Sequence, residues 1–324
     1  MRQLFLLPML LLGTAAPVSA QSTMMNVFDT IQQRHAVDDK TQADDVKIRK
    51  DTNDRMTVAV SVGGTGPFRF LVDTGADRTA ISSAVAGRLG LDTSESASLH
   101  SITGISAVQT ATVSNLQLSK TALRIVDAPV LDAANIGADG ILGTDSLRSQ
   151  RVMFDFDKNI MTIVPSEQRV AHDDGAIVVT GRLRSGRLIV TNAVADGNMV
   201  TVVVDTGSEV SIGNEALRLR LGNAGLLKNS GAVELQSVTG EMLPGQYTFV
   251  KNLKVGDVNL ANLAVVFANA HTFQKLGLDK HPALLLGMNA LRAFKKVSID
   301  FANKKLRVVM PETGMLDPKL IASR

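Results

Sequence analysis

The sequence predicts a mostly-β protein of two similar lobes, each a closed β-barrel, related by an approximate two-fold axis through internal duplication. Two observations lead to this fold class. Short stretches that are apolar or alternate apolar and polar residues recur between glycine-containing turns, which is typical of β-strands. Sequence blocks also occur twice in the same order, which indicates that one ancestral unit was duplicated. Two copies are too few for a solenoid, so a two-lobed body is the better interpretation.

The duplication is clearest at a five-residue block, Leu-Val-Asp-Thr-Gly in the first copy and Val-Val-Asp-Thr-Gly in the second. Four blocks are duplicated, and their copies lie at residues 71–75 and 203–207, 101–104 and 237–240, 140–147 and 284–291, and 152–156 and 297–301. The offset grows from 132 residues (73 to 205) to 145 (155 to 300), so the second copy carries small insertions. Four matches in order are hard to obtain by chance.

Each copy has the pattern of short strands with few helices. The strands are predicted at residues 57–62, 68–72, 188–194 and 200–204. A glycine-rich turn at residues 63–67 separates the first pair, and Asp-Gly-Asn at residues 196–198 is a strong hairpin signal between the second pair. Short helices are expected at residues 82–89 and 215–221. Mostly-β lobes of this kind favour a closed barrel or a sandwich.

The N-terminus has the pattern of an export signal. Arg2 precedes an apolar run at residues 4–12, and Val-Ser-Ala at residues 18–20 offers small side chains for cleavage. The run is shorter than the ~20 residues that cross a bilayer, which favours cleavage after Ala20 over an uncleaved anchor. We therefore expect a periplasmic or secreted protein without stable membrane insertion. The predicted division is a signal peptide (1–20), a polar linker or propeptide (21–54), a first lobe (55–170), a connector (171–180), a second lobe (181–312) and a tail (313–324).

Composition excludes several classes of function. The chain has no cysteine, which excludes disulfides, a thiol nucleophile and thiolate metal sites. The net charge is only +3 and no basic cluster is interleaved with aromatic residues, so nucleic acid is not an expected partner. The five histidines lack metal-ligand spacing, and neither a Gly-x-Ser-x-Gly elbow nor a phosphate-binding loop is present. The sequence predicts chemistry that uses no metal and no cofactor.

Asp73 and Asp205 are the residues most suited to chemistry. Each follows an apolar run, at residues 70–72 and 202–204, and each precedes Thr, Gly and a small residue. A carboxylate at the end of a buried strand is costly unless it has a function or partners. Across a two-fold axis the two would face each other and share a proton, so that one activates a water and the other polarises a carbonyl. The alternative is a pair of structural aspartates that cap turns.

Taken together, the duplicated blocks make the chain similar to the retropepsin-like aspartic peptidases, above all the bacterial exported type with two units fused in one chain. The resemblance covers about residues 57–311 and implies a pepsin/retropepsin-like fold. It implies an aspartic endopeptidase that acts on polypeptide substrates without a cofactor. Since one chain holds both aspartates, a monomer that works as a pseudo-dimer is expected.

The resemblance also implies roles for single residues. Asp73 and Asp205 match the catalytic pair, and Gly104 and Gly240 lie in hairpins that resemble the flaps over a bound peptide. The residues that support the pair are Thr74, Gly75, Thr206 and Gly207. Asp77 and Glu209 match residues that contact the substrate backbone. For the two acidic residues, a surface salt bridge with a nearby arginine such as Arg78 is an equal alternative. For the two hairpin glycines, an ordinary β-turn role is nearly as well supported.

Two other functions fit parts of the sequence. A catalytically silent peptide- or protein-binding module on the same fold would bind without turnover, although loss of one aspartate would then be expected. A glycosidase also uses paired carboxylates, but it usually needs aromatic platforms for the sugar rings. The chain has no tryptophan and one tyrosine, Tyr247, which argues against that reading.

Overall fold

A computed structural model describes residues 46–47, 49–50, 56–118, 121–168, 175–227 and 230–311. The predicted signal peptide, most of the 21–54 segment, part of the connector and the 313–324 tail lie outside the described residues. The first copy contributes strands β1 Val46–Lys47, β2 Arg49–Lys50, β3 Met56–Val62, β4 Thr65–Val72, β5 Ala80–Ser82, β6 Glu95–His100, β7 Ile105–Leu118, β8 Thr121–Leu131, β9 Gly140–Leu142, β10 Gln150–Asp155 and β11 Ile160–Pro165. Its short helices are α1 Ser83–Arg88, α2 Ala133–Ile136 and α3 Thr144–Leu147.

The second copy repeats this order of elements. Its strands are β12 Ile177–Thr180, β13 Arg182–Arg184, β14 Arg187–Ala195, β15 Asn198–Val204, β16 Ser211–Gly213, β17 Gly231–Gln236, β18 Met242–Val255, β19 Val258–Phe267, β20 Ala283–Leu286, β21 Lys296–Asp300 and β22 Lys305–Val309. Its helices are α4 Glu215–Asn223, α5 His271–Lys275 and α6 Met288–Leu291. Among the described residues, no helix is long and apolar enough to cross a membrane.

Each lobe is one eight-stranded sheet, and the two sheets share a topology. The strand order is β2-β3-β4-β9-β5-β8-β7-β6 in the first lobe and β13-β14-β15-β20-β16-β19-β18-β17 in the second. The predicted two-lobed, mostly-β fold and its duplication are therefore confirmed. In each lobe the long hairpin strand also pairs back, β7 with β3 and β18 with β14, through two residue pairs. We describe each lobe as a folded sheet rather than the predicted barrel, because in each lobe only those two residue pairs join the sheet back onto itself.

A third sheet joins the lobes. Its order is β1-β11-β10-β21-β22-β12, so β10 from the first copy lies beside β21 from the second. These two strands are antiparallel, and Met153 faces Ser298 at the centre of their register. Those two residues are equivalent in the repeat, since both lie one position after the valine that opens the last block. The approximate two-fold axis therefore passes through this pair.

The strand that leads to each aspartate is buried on both faces. In β4, Phe70 and Val72 pack into a large core cluster that spans both lobes, whereas Leu71 packs into a separate small cluster of the first lobe. In β15, Val203 likewise packs into a small cluster of the second lobe, while its neighbours face the large one. Successive side chains of a strand point to opposite faces. This explains why the sequence is continuously apolar, rather than alternating, before Asp73 and Asp205.

Local predictions agree with the structure except in the first turn. The turn of the second hairpin is Asp196-Gly197, with φ of 45° and 82°, as a two-residue type I′ turn requires. The first turn is shorter than the predicted 63–67, because Thr65 already pairs with Val62 and only two glycines remain in the turn. The predicted helices 82–89 and 215–221 correspond to α1 and α4, each capped at its N-terminus by a polar side chain.

Candidate active site

The strand ends bring Asp73 and Asp205 to the junction of the two lobes. Asp73 follows β4 directly, and its N–H donates to the carbonyl of Leu142 at the end of the parallel strand β9 (3.0 Å). Asp205 follows β15 in the same way, and its N–H donates to Leu286 at the end of β20 (3.0 Å). Both carboxylates are thus carried by the ends of central, buried strands rather than by free loops.

The two threonines hold the two strand ends together. The hydroxyl of Thr74 donates to the carbonyl of Val204 (2.8 Å) and accepts from the N–H of Thr206 (3.1 Å). The hydroxyl of Thr206 donates to the carbonyl of Val72 (2.6 Å) and accepts from the N–H of Thr74 (3.1 Å). Both threonines are buried, so these four bonds satisfy all the polar atoms involved. The arrangement fixes each aspartate relative to the opposite lobe.

The glycines after the threonines are required by space. A Cβ on Gly75 would overlap the carboxylate of Asp205, and a Cβ on Gly207 would overlap that of Asp73. Neither glycine has a positive φ, so the close approach of the opposite carboxylate, and not a left-handed backbone, is what requires glycine at these positions. Each glycine therefore lies against the carboxyl group of the other copy, which places the two acids on either side of the two-fold axis.

Backbone N–H groups from the loop that follows each aspartate contact both carboxylates. One oxygen of Asp73 accepts the N–H groups of Gly75 (2.7 Å) and Ala76 (2.9 Å). One oxygen of Asp205 accepts the N–H of Gly207 (3.0 Å), and the backbone of Ser208 also hydrogen-bonds to this carboxylate. Burial, followed by the charge of Asp73, raises the pKa of Asp205 to about 7, although hydrogen bonding and a nearby arginine oppose the rise. At neutral pH the pair thus holds a proton that an isolated aspartate would have lost.

Arg187 is the residue of this site that the sequence analysis missed. It begins β14, is only 7% exposed, and donates from Nε to the carbonyl of Gly75 (2.5 Å). Its guanidinium also lies 3.8 Å from the carboxylate of Asp77. The one sequence signal was a charged residue at the start of an apolar strand. Arg187 links the second lobe to the loop that carries Asp73, and its charge lowers the pKa of Asp205.

The two acidic residues proposed to contact substrate lie beside the dyad loops. Asp77 pairs with Arg187, whereas the suggested partner Arg78 lies 3.9 Å from Asp127 instead. The side chain of Asp77 is still 51% exposed, and Glu209 is exposed in the second copy. A contact with the substrate backbone remains a prediction for both residues.

A second layer of side chains supports the loops that follow the aspartates. In the first copy, Asp145 accepts the N–H (3.0 Å) and hydroxyl (2.6 Å) of Thr79. In the second copy, Asn289 accepts from the N–H (2.9 Å) and hydroxyl (2.8 Å) of Ser211 and donates to the carbonyl of Ala264 (2.8 Å). The extra donation explains why an amide stands in the second copy where the first has a carboxylate.

The hairpins that contain Gly104 and Gly240 reach across to the opposite lobes. Ile102, in the tip of the first hairpin, packs on the small apolar cluster of the second lobe, and its carbonyl accepts the N–H of His271 (2.8 Å). Val238, in the tip of the second hairpin, packs on the small cluster of the first lobe. Both glycines have positive φ, 154° and 92°, as turn residues do. The hairpins are therefore closed against the body of the molecule.

Comparisons with protein families divide the chain in the same way. Residues 58–149 match a family described as gag-polyprotein putative aspartyl protease, and residues 190–290 match one described as aspartyl protease. Each match contains one of the two Asp-Thr-Gly blocks. No curated protein matches the chain. No cluster of histidine and acidic side chains suited to a metal ion occurs within the described ranges.

Proposed function

This chain belongs to the retropepsin-like aspartic peptidases, with two units in one polypeptide, and we propose that it is an endopeptidase whose catalytic pair is Asp73 and Asp205. The observation that carries the proposal is the placement of the two carboxyl groups. Each lies against the glycine of the opposite copy, and together they hold a proton near neutral pH. A pair that shares one proton contains a base and an acid at once.

The raised pKa of Asp205 supports distinct roles for the two acids at the start of the reaction. Asp205 carries the proton, because burial and the neighbouring charge disfavour its ionised form. We assign the role of base to Asp73, because it is the other member of the pair and one of its oxygens accepts the N–H groups of Gly75 and Ala76. Asp73 then takes a proton from a water while Asp205 donates a hydrogen bond to the substrate carbonyl. The water oxygen bonds to the carbonyl carbon, and the amine departs with a proton from the pair.

The threonine bonds support this chemistry by holding the acids in place. The four bonds between Thr74, Thr206 and the opposite strands are short and buried. A preorganised pair pays little to rearrange during the reaction, which is how fixed polar groups lower a barrier. The role we assign to Thr74, Gly75, Thr206 and Gly207 is therefore positioning, and substrate contact is assigned to Asp77 and Glu209.

We also propose the compartment and the state of the enzyme. The export pattern at residues 1–20 supports action outside the cytoplasm, in a periplasm or in the medium. One chain supplies both aspartates, which supports a monomer that works as a pseudo-dimer. The substrate is an extended polypeptide segment, which can bind as a strand through main-chain hydrogen bonds.

The test is cleavage of a mixed peptide library by the protein, followed by mass spectrometry from acidic to neutral pH. We expect discrete cuts that disappear in both Asp73→Asn and Asp205→Asn. Asp257→Asn is the matched control, because Asp257 is an exposed turn residue between β18 and β19 and should cut as the unaltered chain does. Peptide binding without any cut, in a folded protein, would instead identify a silent binding module.

A further inference from the structure

The two hairpin tips differ in length by one residue. In the first, His100 pairs with Ile105, so the turn holds residues 101–104. In the second, Gln236 pairs with Met242, so the turn holds five residues, 237–241. The strand register therefore makes Ile105 and Met242 equivalent and leaves Glu241 as the additional residue. Glu241 is also the one charged residue in the two turn sequences.

The carboxylate of Glu241 joins the two hairpins. Its two oxygens accept the hydroxyls of Thr103 (3.0 Å) and Ser106 (3.1 Å) from the first hairpin. The same carboxylate accepts the hydroxyls of Ser237 (2.8 Å) and Thr239 from its own turn. A carboxylate has about four acceptor sites, so these four donors satisfy it. A neutral residue of the same size could not accept all four.

The charge on Glu241 is stable over the working range of an enzyme. Hydrogen bonds from Thr239, Ser237 and Thr103, in that order, lower the pKa of Glu241 to about 2. The carboxylate is thus ionised in both acidic and neutral solution. Hydrogen bonds to an ionised acceptor are stronger than those between neutral groups. The contact between the hairpins therefore persists at any pH where the dyad would work.

Both hairpin turns also lie against the opposite lobe. The tip of each hairpin packs on the opposite lobe, through Ile102 in the first and Val238 in the second, so both hairpins are closed against the body at the same time. A polypeptide that enters beneath them has to separate them from the body and from each other. The hydroxyl contacts of Glu241 with Thr103 and Ser106 are a direct side-chain link between the two hairpins.

We propose that Glu241 is a latch that ties the two hairpins together, and that breaking its contacts with Thr103 and Ser106 limits the entry of substrate. The inference rests on the proposed function in one respect, since it takes the cleft beneath the hairpins as the substrate path. The latch is asymmetric, because the first copy has no residue at the corresponding place.

The first test measures the hairpins without any substrate. Glu241→Ala should speed hydrogen–deuterium exchange about fivefold in residues 95–106 and 231–242, as expected for loss of hydrogen bonds to a charged group. Glu234→Ala is the matched control, because Glu234 is an exposed glutamate of β17 and should leave that exchange unchanged. Unchanged exchange in a folded Glu241→Ala protein would overturn the latch.

A double-mutant cycle tests whether the link is direct. Thr103→Val combined with Ser106→Ala removes the two hydroxyls that the first hairpin offers, and should speed exchange in both hairpins. Adding Glu241→Ala to that pair should then add less than it does alone, because the contacts are already broken. Fully additive effects would overturn the proposal, since they would mean that the two sides act independently.

Cleavage of a short peptide tests the second half of the proposal. Glu241→Ala should raise the rate of substrate association, seen as a rise in kcat/KM of about threefold with kcat little changed, because one set of charged hydrogen bonds no longer has to break. Faster exchange with no gain in kcat/KM would overturn the role in entry. If no variant cuts any peptide, the proposed function fails, and the exchange data then decide the latch alone.

Discussion

Asp73 and Asp205 occupy equivalent places in the two copies, yet the charge of Arg187 acts on Asp205. Two backbone N–H groups hydrogen-bond to each carboxylate, whereas Arg187 contacts the loop after Asp73 and lowers the pKa of Asp205 through its charge. The cost of burying the charge of Asp205 beside that of Asp73 outweighs the help of Arg187. The difference between the two acids thus arises from their neighbours, since the motif itself is the same.

The raised pKa of Asp205 predicts how activity depends on pH. The group is protonated below about 7 and ionised above it, and in the proposed mechanism an ionised pair has no acid to polarise the carbonyl. Peptide cleavage should therefore persist to near-neutral pH and fall as the pH rises through about 7. The measurement is kcat/KM for one peptide across a pH series in a folded, unaltered chain.

Arg187→Met should shift the loss of cleavage activity to higher pH, because Arg187 lowers the pKa of Asp205. The variant should also lose about 1–3 kcal/mol of stability, since the carbonyl of Gly75 loses its buried donor. Arg182→Met is the control: it removes an exposed arginine of β13 and should change neither the pH at which activity is lost nor the stability. If activity is lost at the same pH in Arg187→Met as in the unaltered chain, the electrostatic role of Arg187 is contradicted.

At the scale of elements, β6 of the first lobe meets α5 of the second through a chain of polar side chains. Lys275 lies 3.2 Å from Nε2 of His100, whose Nδ1 lies 2.9 Å from Nε2 of His271. Nδ1 of His271 in turn lies 3.3 Å from the amide oxygen of Gln274. A lysine only donates, so His100 accepts at Nε2 and donates from Nδ1. A proton added at Nε2 of His100 would therefore break its contact with Lys275.

This contact should weaken in acid. Burial, then the charges of Lys275 and His271, lower the pKa of His100, while Asp77 opposes them. The closed form therefore binds fewer protons than an opened form, and it loses stability as the pH falls below the free histidine value of about 6.5. We expect hydrogen exchange of β6 and α5, corrected for the intrinsic rate, to accelerate between pH 7 and pH 5.

The double variant His100→Gln with His271→Gln should abolish this acceleration, because no group in the chain then titrates. His281→Gln removes an exposed histidine and should retain it. An acceleration that survives in the double variant would assign the effect to another part of the molecule. The contact of Glu241 is unaffected in this range, since that carboxylate is ionised throughout.

At the scale of the whole molecule, the shared sheet holds the lobes together with two equivalent ion pairs. Arg151 binds Asp300 across β10 and β21 through Nε (2.9 Å) and a terminal guanidinium nitrogen (2.8 Å). The equivalent pair in the repeat is Lys296 and Asp155, which lie 4.0 Å apart. Asp300 is 3% exposed, so its pair is the buried one. Burial alone would raise the pKa of Asp300, but hydrogen bonds from Asn303 and Arg151 prevail and lower it.

Asp300→Ala should destabilise the protein by about 2–4 kcal/mol, because it leaves Arg151 partly buried without its partner. Asp155→Ala, at the more exposed equivalent pair, should cost about 0–1 kcal/mol. Urea unfolding followed by circular dichroism measures both, since the chain has no tryptophan. A lowered carboxyl pKa stabilises above the unfolded value, so the effect of Asp300→Ala should shrink below about pH 4. Equal losses in both variants would contradict this ranking.

Most of the fold and the position of the dyad were predictable because they depend on local pattern and repetition. The continuously apolar runs before Asp73 and Asp205 predict buried strands, and the duplicated blocks predict two lobes with the aspartates facing across an axis. Arg187 and Glu241 were not predictable. Neither belongs to a duplicated block, and each acts on residues more than a hundred positions away. The contact of Gly75 and Gly207 with the carboxylate of the opposite copy was not predictable, because it depends on how the two lobes meet.

The sequence by itself determined the strand pattern, the duplication, the paired Asp-Thr-Gly blocks and the class of chemistry they suggest, because these follow from periodicity and residue type. The tertiary structure alone decided which neighbours act on each acid, which hairpin carries the link over the cleft, and which ion pair is buried. Those features depend on distances between the two lobes. A pKa, a hydrogen bond or a steric overlap is set by those distances, and a linear order of residues does not contain them.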